Sequence, residues 1–143
     1  LGLLFTKVRK KILSFPGKKE IKMKLADSLV RHFFRFQNEL KLYHWRTGYY
    51  SRHRATDKLS ETILELIDRF IEAYMGIYGR VSLGKDPMVI RTFTDKNAPS
   101  LLKELVEFLG TLDKPLKYEP SLLNIRDEMV SSLQQTLFLF NLV

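Results

Sequence analysis

Apolar residues return every three or four positions from Leu25 to Tyr43. Leu25, Leu29, Phe33, Phe36, Leu40 and Tyr43 share one side of a helix, and the spacing predicts that helix over about residues 22–45. Phe34, Leu42 and Trp45 fall nearly opposite, a second strip with too much aromatic surface to leave in water, which predicts a partner subunit. Thr47-Gly48 turns the chain. Leu59, Ile63, Leu66, Phe70, Tyr74 and Ile77 then repeat the pattern and predict a second helix, from about Arg52 or Ala55 to Tyr78, with Gly79 as its stop. On its other side Glu61, Glu65, Asp68 and Glu72 form an acidic row. Leu64, Ile71 and Met75 run beside that row, so the acids border a contact surface.

The remaining punctuation is proline. Residues 80–98 read as a connector, residues 100–112 as a short third helix, and residues 113–120 as a linker. From Ser121, the positions Leu122, Ile125, Met129, Leu133, Thr136, Leu137 and Phe140 face inward on a fourth helix. The last stretch, Leu137 to Val143, is apolar nearly all round and is expected to be buried against something. No strand alternation competes, so the fold class is all-α, an antiparallel four-helix bundle. Ahead of it, Leu1, Leu4, Phe5, Val8, Ile12 and Phe15 fall on one face of a short amphipathic helix ended by Pro16-Gly17. Two units follow: a basic amphipathic segment over residues 1–20 and a bundle over residues 21–143.

Charge sharpens this division. Of the net +8, Lys7, Arg9, Lys10, Lys11, Lys18, Lys19, Lys22 and Lys24 against Glu20 account for +7. The bundle is nearly neutral. A positive block of this kind points to a polyanion, whether nucleic acid, anionic lipid or an acidic protein. With no cysteine in 143 residues, disulfides, thiol catalysis and zinc fingers drop out, which suits a reducing compartment. No apolar run reaches the roughly 18–20 residues that span a bilayer. The chain opens on Leu1 rather than Met, so upstream residues, with a signal or anchor, stay open.

Candidate chemistry gathers between His44 and Glu72. His44 and His53 flank the turn, while Asp68 and Glu72 stand one helical turn apart. His32 lies at the edge of the first stripe and reads as a packed or half-exposed core histidine. Imidazole and carboxylate together suit iron, manganese or zinc. Fifteen residues separate His53 from Asp68, about 22 Å along a helix, too far to share an ion within one chain. An antiparallel two-fold pairing of the second helix would bring His53 of one copy to the acids of the other.

His44-Trp45, a turn with Gly48, His53, fourteen residues to Asp68 and three more to Glu72 resembles the Dps mini-ferritins, DNA-protecting relatives of ferritin. The resemblance covers residues 25–80 well and residues 121–142 loosely. It implies a ferritin-like bundle, from which this chain departs in having a shortened third helix. It also implies a metal site of His44 and His53 from one subunit with Asp68 and Glu72 from its neighbour, and iron as the metal. Within that group, the wording of residues 41–45, 53–57 and 67–72 is most similar to small ferritin-like proteins of large DNA viruses.

Two functions follow. The first is a Dps-like self-associating protein that oxidises or sequesters iron between subunits. It would hold DNA non-specifically through Lys7, Arg9, Lys10, Lys11, Lys18 and Lys19. The second is a non-enzymatic structural or minor capsid component of a virion, touching neighbouring virion proteins or a membrane surface. Phe34, Trp45, Leu64, Ile71 and Met75 are the expected interface in either case, with the host cytoplasm or the virion as location. Hydrolysis at the acid pair has no nucleophile to support it.

Overall fold

The computed structural model describes residues 18–142, with side chains from Lys22 onward. Four helices lie among the described residues, and no strand does: α1 (Lys18–Arg46), α2 (Tyr50–Tyr78), α3 (Ala98–Gly110) and α4 (Pro120–Phe140). The fold is all-α. The amphipathic helix expected over residues 1–15, and the boundary at residue 20 as a division between two units, rest on residues outside those described.

The stripes form the helices because each lets a row of large side chains leave water together. Leu29, Phe33, Phe36, Leu40 and Tyr43 of α1 meet Leu59, Ile63, Leu66, Phe70 and Tyr74 of α2, all buried. Leu102, Leu105 and Leu109 of α3 and Leu122, Met129, Leu133 and Phe140 of α4 complete the core. At roughly 1.5–3 kcal/mol for each large apolar side chain removed from water, this contact stabilises the bundle far more than helix propensity does.

Direction follows from the pairings. The three residues between α1 and α2 make these helices an antiparallel hairpin. Tyr78 at the end of α2 donates to Glu119 at the start of α4, and Arg52 at the start of α2 donates to the Phe140 carbonyl at the end of α4. Hence α4 runs antiparallel to α2. His32 of α1 stacks on Phe108 of α3, while Glu39 reaches the Arg91–Glu104 pair, so α3 runs antiparallel to α1 and parallel to α2.

That order requires the segment joining α2 to α3 to travel the length of the bundle, and it is pinned along α1 as it goes. The Gly84 N–H donates to Asp27, and Arg31 donates to the Asp86 carbonyl. Arg91 bonds Glu39, and Asp95 accepts from Tyr43, Thr47 and the Gly48 N–H. From Asp27 to Thr47, α1 rises about 30 Å at 1.5 Å per residue. The strap covers the same distance from Gly84 to Asp95, close to its extended reach of about 3.3 Å per residue.

Helix ends follow local chemistry. Gly79 closes α2 at φ 90°, a backbone angle that an L side chain rarely adopts, and its N–H bonds the Met75 carbonyl. Thr94 and Asn97 exchange backbone-to-side-chain bonds just before α3, and Pro99 and Pro120 sit in the first turns of α3 and α4.

Three expectations change. Ile77 is 43% exposed rather than inward, because Tyr78 takes the next inward position after Tyr74 and anchors its hydroxyl on Glu119. The linker at 113–120 is a turn that buries Leu116, with Leu112 buried just before it, filling the space beyond the 13-residue α3. Among the described residues of the apolar run after Leu137, only Phe140 is buried in the single chain; Phe138, Leu139 and Leu142 stand exposed.

Candidate metal-binding half-site

His44 occupies the last turn of α1 and His53 the first turn of α2, and the tight turn between them brings their rings into contact. The centroids lie 4.0 Å apart with planes 19° from parallel. Each ring is held by its Nδ1. The Thr56 hydroxyl donates to the Arg52 carbonyl at 2.8 Å, so its oxygen accepts from His44, whose Nδ1 carries the proton, at 2.9 Å. His53 Nδ1 donates to the His44 carbonyl at 3.0 Å. A carbonyl can only accept, so this tautomer too is fixed. In the neutral form of each ring, Nε2 is therefore the atom that carries the lone pair. This is how ligand histidines are usually oriented, with the second ring nitrogen donating to a fixed oxygen.

Electrostatics keep His44 in the ligand form. Burial is the main cause holding its imidazole below the ordinary histidine value, and His53 and Lys41 push the same way. Asp57, whose Oδ1 lies 3.9 Å from His44 Nε2, pulls back more weakly. His44 is thus neutral near pH 7, as a metal ligand must be.

The other two expected ligands lie elsewhere. Asp68 and Glu72 point to solvent on the outer face of α2, with Glu61 and Glu65 on the same row. Because α2 is one uninterrupted helix, Asp68 stands about 22 Å from His53. Among the described residues no three His, Asp or Glu side chains gather to hold an ion. The donor set of one chain fits half a site: two oriented imidazoles, with the carboxylates displaced along the same face.

That face is partly apolar. Phe34, Trp45 and Leu64 are 46%, 69% and 51% exposed, while Ile71 and Met75 are half-buried at its margin. A shallow groove of about 350 Å³ runs between α1 and α2 past Asn38, Lys41, Ser60 and Leu64. The Ser60 hydroxyl is buried there with no protein partner. Of the expected polyanion-binding residues, Lys7, Arg9, Lys10 and Lys11 lie outside the described residues, as do the side chains of Lys18 and Lys19. His32 packs as expected, its ring 3.7 Å from that of Phe108 and its Nδ1 donating to the Ser28 carbonyl.

Sequence reasoning passed over three groups. Thr56 and Asp57 stand three and four positions after His53, one turn along α2, a spacing that would have found them. Glu39 is fully buried; Arg91 bonds both its oxygens at 3.1 and 3.0 Å and also holds Glu104 at 2.7 Å. These two carboxylates, Glu104 first, raise the Arg91 guanidinium above its ordinary value. The available signal was Glu39's place among the apolar positions, three residues after Phe36. Arg126 is buried as well, donating to the Leu109 carbonyl and to Asp113 and Asp127.

A profile described as a family of unknown function, DUF5856, matches residues 44–140. The match spans about two thirds of the chain and contains the His44–His53 pair, the acidic row, the strap, α3 and α4. No curated protein and no solved structure matches the chain.

Proposed function

The chain belongs to the DUF5856 family, and from that premise we propose that it is a Dps-like, self-associating, ferritin-like protein that binds a transition metal, iron foremost, between subunits. The observation that carries this reading is the histidine pair: both Nδ1–H groups are committed inside the chain, which leaves the lone pair of each neutral ring on Nε2. Asp68 and Glu72 of the partner subunit would supply the oxygens, making the mixed nitrogen and oxygen set that suits iron. The helix order supports the same reading. One long crossover running the length of a four-helix bundle is the ferritin-like connection, here with a 13-residue third helix against 29 residues in α2. The outer face of α1 and α2, with Phe34, Leu64, Ile71 and Met75, supplies a two-fold contact, and Trp45 lies at its edge. Iron is then substrate: Fe(II) gives an electron to oxygen or peroxide and is retained as Fe(III). The basic segment over residues 1–20 holds DNA by phosphate neutralisation, with binding that weakens steeply with salt.

Mixed subunits test this reading. His53→Ala and Asp68→Ala are each expected to lose Fe(II) binding in anaerobic titration calorimetry. An equimolar mixture of the two variants regains sites, because some pairs then carry one intact histidine half facing one intact acid half. No recovery on mixing, with both variants folded and associated, removes the shared site.

The exposed Phe34 and Leu64 support a second reading, a structural or minor capsid component of a virion that uses the bundle without the metal. Wild-type association with no metal uptake selects it. In both readings the chain works in the host cytoplasm or the virion. No helix among the described residues is long and apolar enough to cross a membrane.

A further inference from the structure

At the end of the bundle where α1 turns into α2 and α4 finishes, aromatic and aliphatic side chains stand in water. Tyr50 is 76% exposed, Phe138 62%, Leu142 50% and Tyr49 49%. A groove of about 280 Å³ lies between Tyr49, Tyr50 and Leu142, floored by Arg52 and Phe140. The floor is rigid. Arg52 donates to the Tyr43 hydroxyl and to the carbonyls of Asp95 and Phe140, and its guanidinium lies 4.7 Å from the Phe140 ring and 5.4 Å from that of Tyr49.

The charge at this end is mainly positive. Residues 45–54 hold Arg46, Arg52 and Arg54 and no acid, and Lys96 is exposed beside them. Of the neighbouring carboxylates, Asp95 is already occupied by donors from Thr47, Tyr43 and the Gly48 N–H, and Asp57 lies one turn further along α2, 3.9 Å from His44 Nε2. The opposite end mixes signs, with Arg80, Lys85 and Lys117 beside Asp86, Asp113 and Glu119. The opposite end also exposes a ring, Tyr118, but there the cations are matched by acids, whereas around Tyr49, Tyr50 and Phe138 cations prevail.

The geometry points to this end as a docking surface for an anionic lipid bilayer. Tyrosine suits the headgroup boundary, where its ring leaves water and its hydroxyl stays wet. Leu139 and Leu142 neither stack on a base nor pair with a phosphate and gain only by entering an apolar phase, where Phe138 gains as well. Arg46, Arg54 and Lys96 then meet the lipid phosphates or carboxylates. A single-stranded nucleic acid would engage the cations and the aromatic rings but leave Leu139 and Leu142 in water. The apolar residues of this end, Tyr49, Tyr50, Phe138 and Leu142, are not among those proposed for subunit pairing or for the metal, so the inference does not depend on the metal reading.

The test uses the full chain with Trp45→Phe and Tyr50→Trp, which moves the only tryptophan to the tip. With vesicles containing phosphatidylserine, its emission shifts to the blue and is quenched by brominated acyl chains. With neutral phosphatidylcholine vesicles it is unchanged. Arg46→Ala and Arg54→Ala each weaken the partition by about fivefold, and Phe138→Ser with Leu142→Ser removes the quenching while far-ultraviolet circular dichroism stays the same. Sedimentation with vesicles while the tip tryptophan stays unquenched assigns binding to another part of the chain, such as the basic segment, and overturns the proposal. So does a tip that responds to single-stranded oligonucleotide but not to vesicles, or one that responds only to protein concentration.

Discussion

Two groups of acids on this bundle live in opposite circumstances. Glu39 lies on the buried stripe of α1, and Arg91 and Arg35 answer its charge within the chain. Asp68 and Glu72 lie exposed on the outer row of α2, with no ion pair among the described residues. Burial makes the difference costly on one side and negligible on the other. A carboxylate in the core without its cation loses several kcal/mol, whereas an exposed one is solvated at little cost. The first group therefore belongs to the fold. The second is left over once the fold is complete, and it shares its face with exposed Leu64.

The largest effect is expected from Arg91→Ala, which leaves Glu39 buried with only the longer Arg35 contact and should cost about 3–5 kcal/mol in urea unfolding. Glu39→Leu with Arg91→Met should recover most of that loss, since the apolar pair needs no partner charge. Failure of the double variant to recover would mean that Arg91 holds the strap by more than its bond to Glu39. Next comes Asp68→Asn with Glu72→Gln. Its unfolding midpoint should stay within about 0.5 kcal/mol of the parent, while Fe(II) binding falls. A loss of stability as large as that of Arg91→Ala would erase the contrast between the two groups.

The smallest effect is one of pH. Burial holds His32 below the ordinary histidine value, Arg35 and Arg31 push the same way, and the Ser28 carbonyl opposes them. Below about pH 6.5 the unfolded chain then binds protons that the folded chain refuses. Stability is thus complete above that pH and is lost as pH falls through it. His44, shifted the same way, adds to the slope. Thermal midpoints measured from pH 7.5 to 5.5 should fall, and His32→Gln should flatten the fall without abolishing it.

How far the chain could be read in advance depended on distance along it. The core stripes of α1 and α2 were legible because helix period and burial are local matters, and the helix ends landed within a few residues because Gly79 and the prolines are local signals. Ile77 was misplaced because it and Tyr78 compete for the same inward slot, and the winner was set by Glu119, 41 residues away. Glu39 was passed over: its place among the apolar positions of α1 is a local signal, but nothing nearby names Arg91, 52 positions on. The two histidines were visible beside the turn, yet their ring-on-ring contact depends on Thr56 holding one imidazole and a backbone carbonyl holding the other. The acidic row could be placed on its face of α2. Among the described residues, none forms an ion pair with that row.

The strap between α2 and α3 also bears on what a protease would leave behind. Lys85 is exposed on it, between the bonds at Gly84 and Asp86. A cut there separates one helical hairpin from the other without removing any of the core contacts between α2 and α4 or between α1 and α3. The nicked protein should stay together in native buffer as two complementary fragments. Its urea midpoint would then become concentration-dependent, as expected of a dimer in which each half supplies the other's interior.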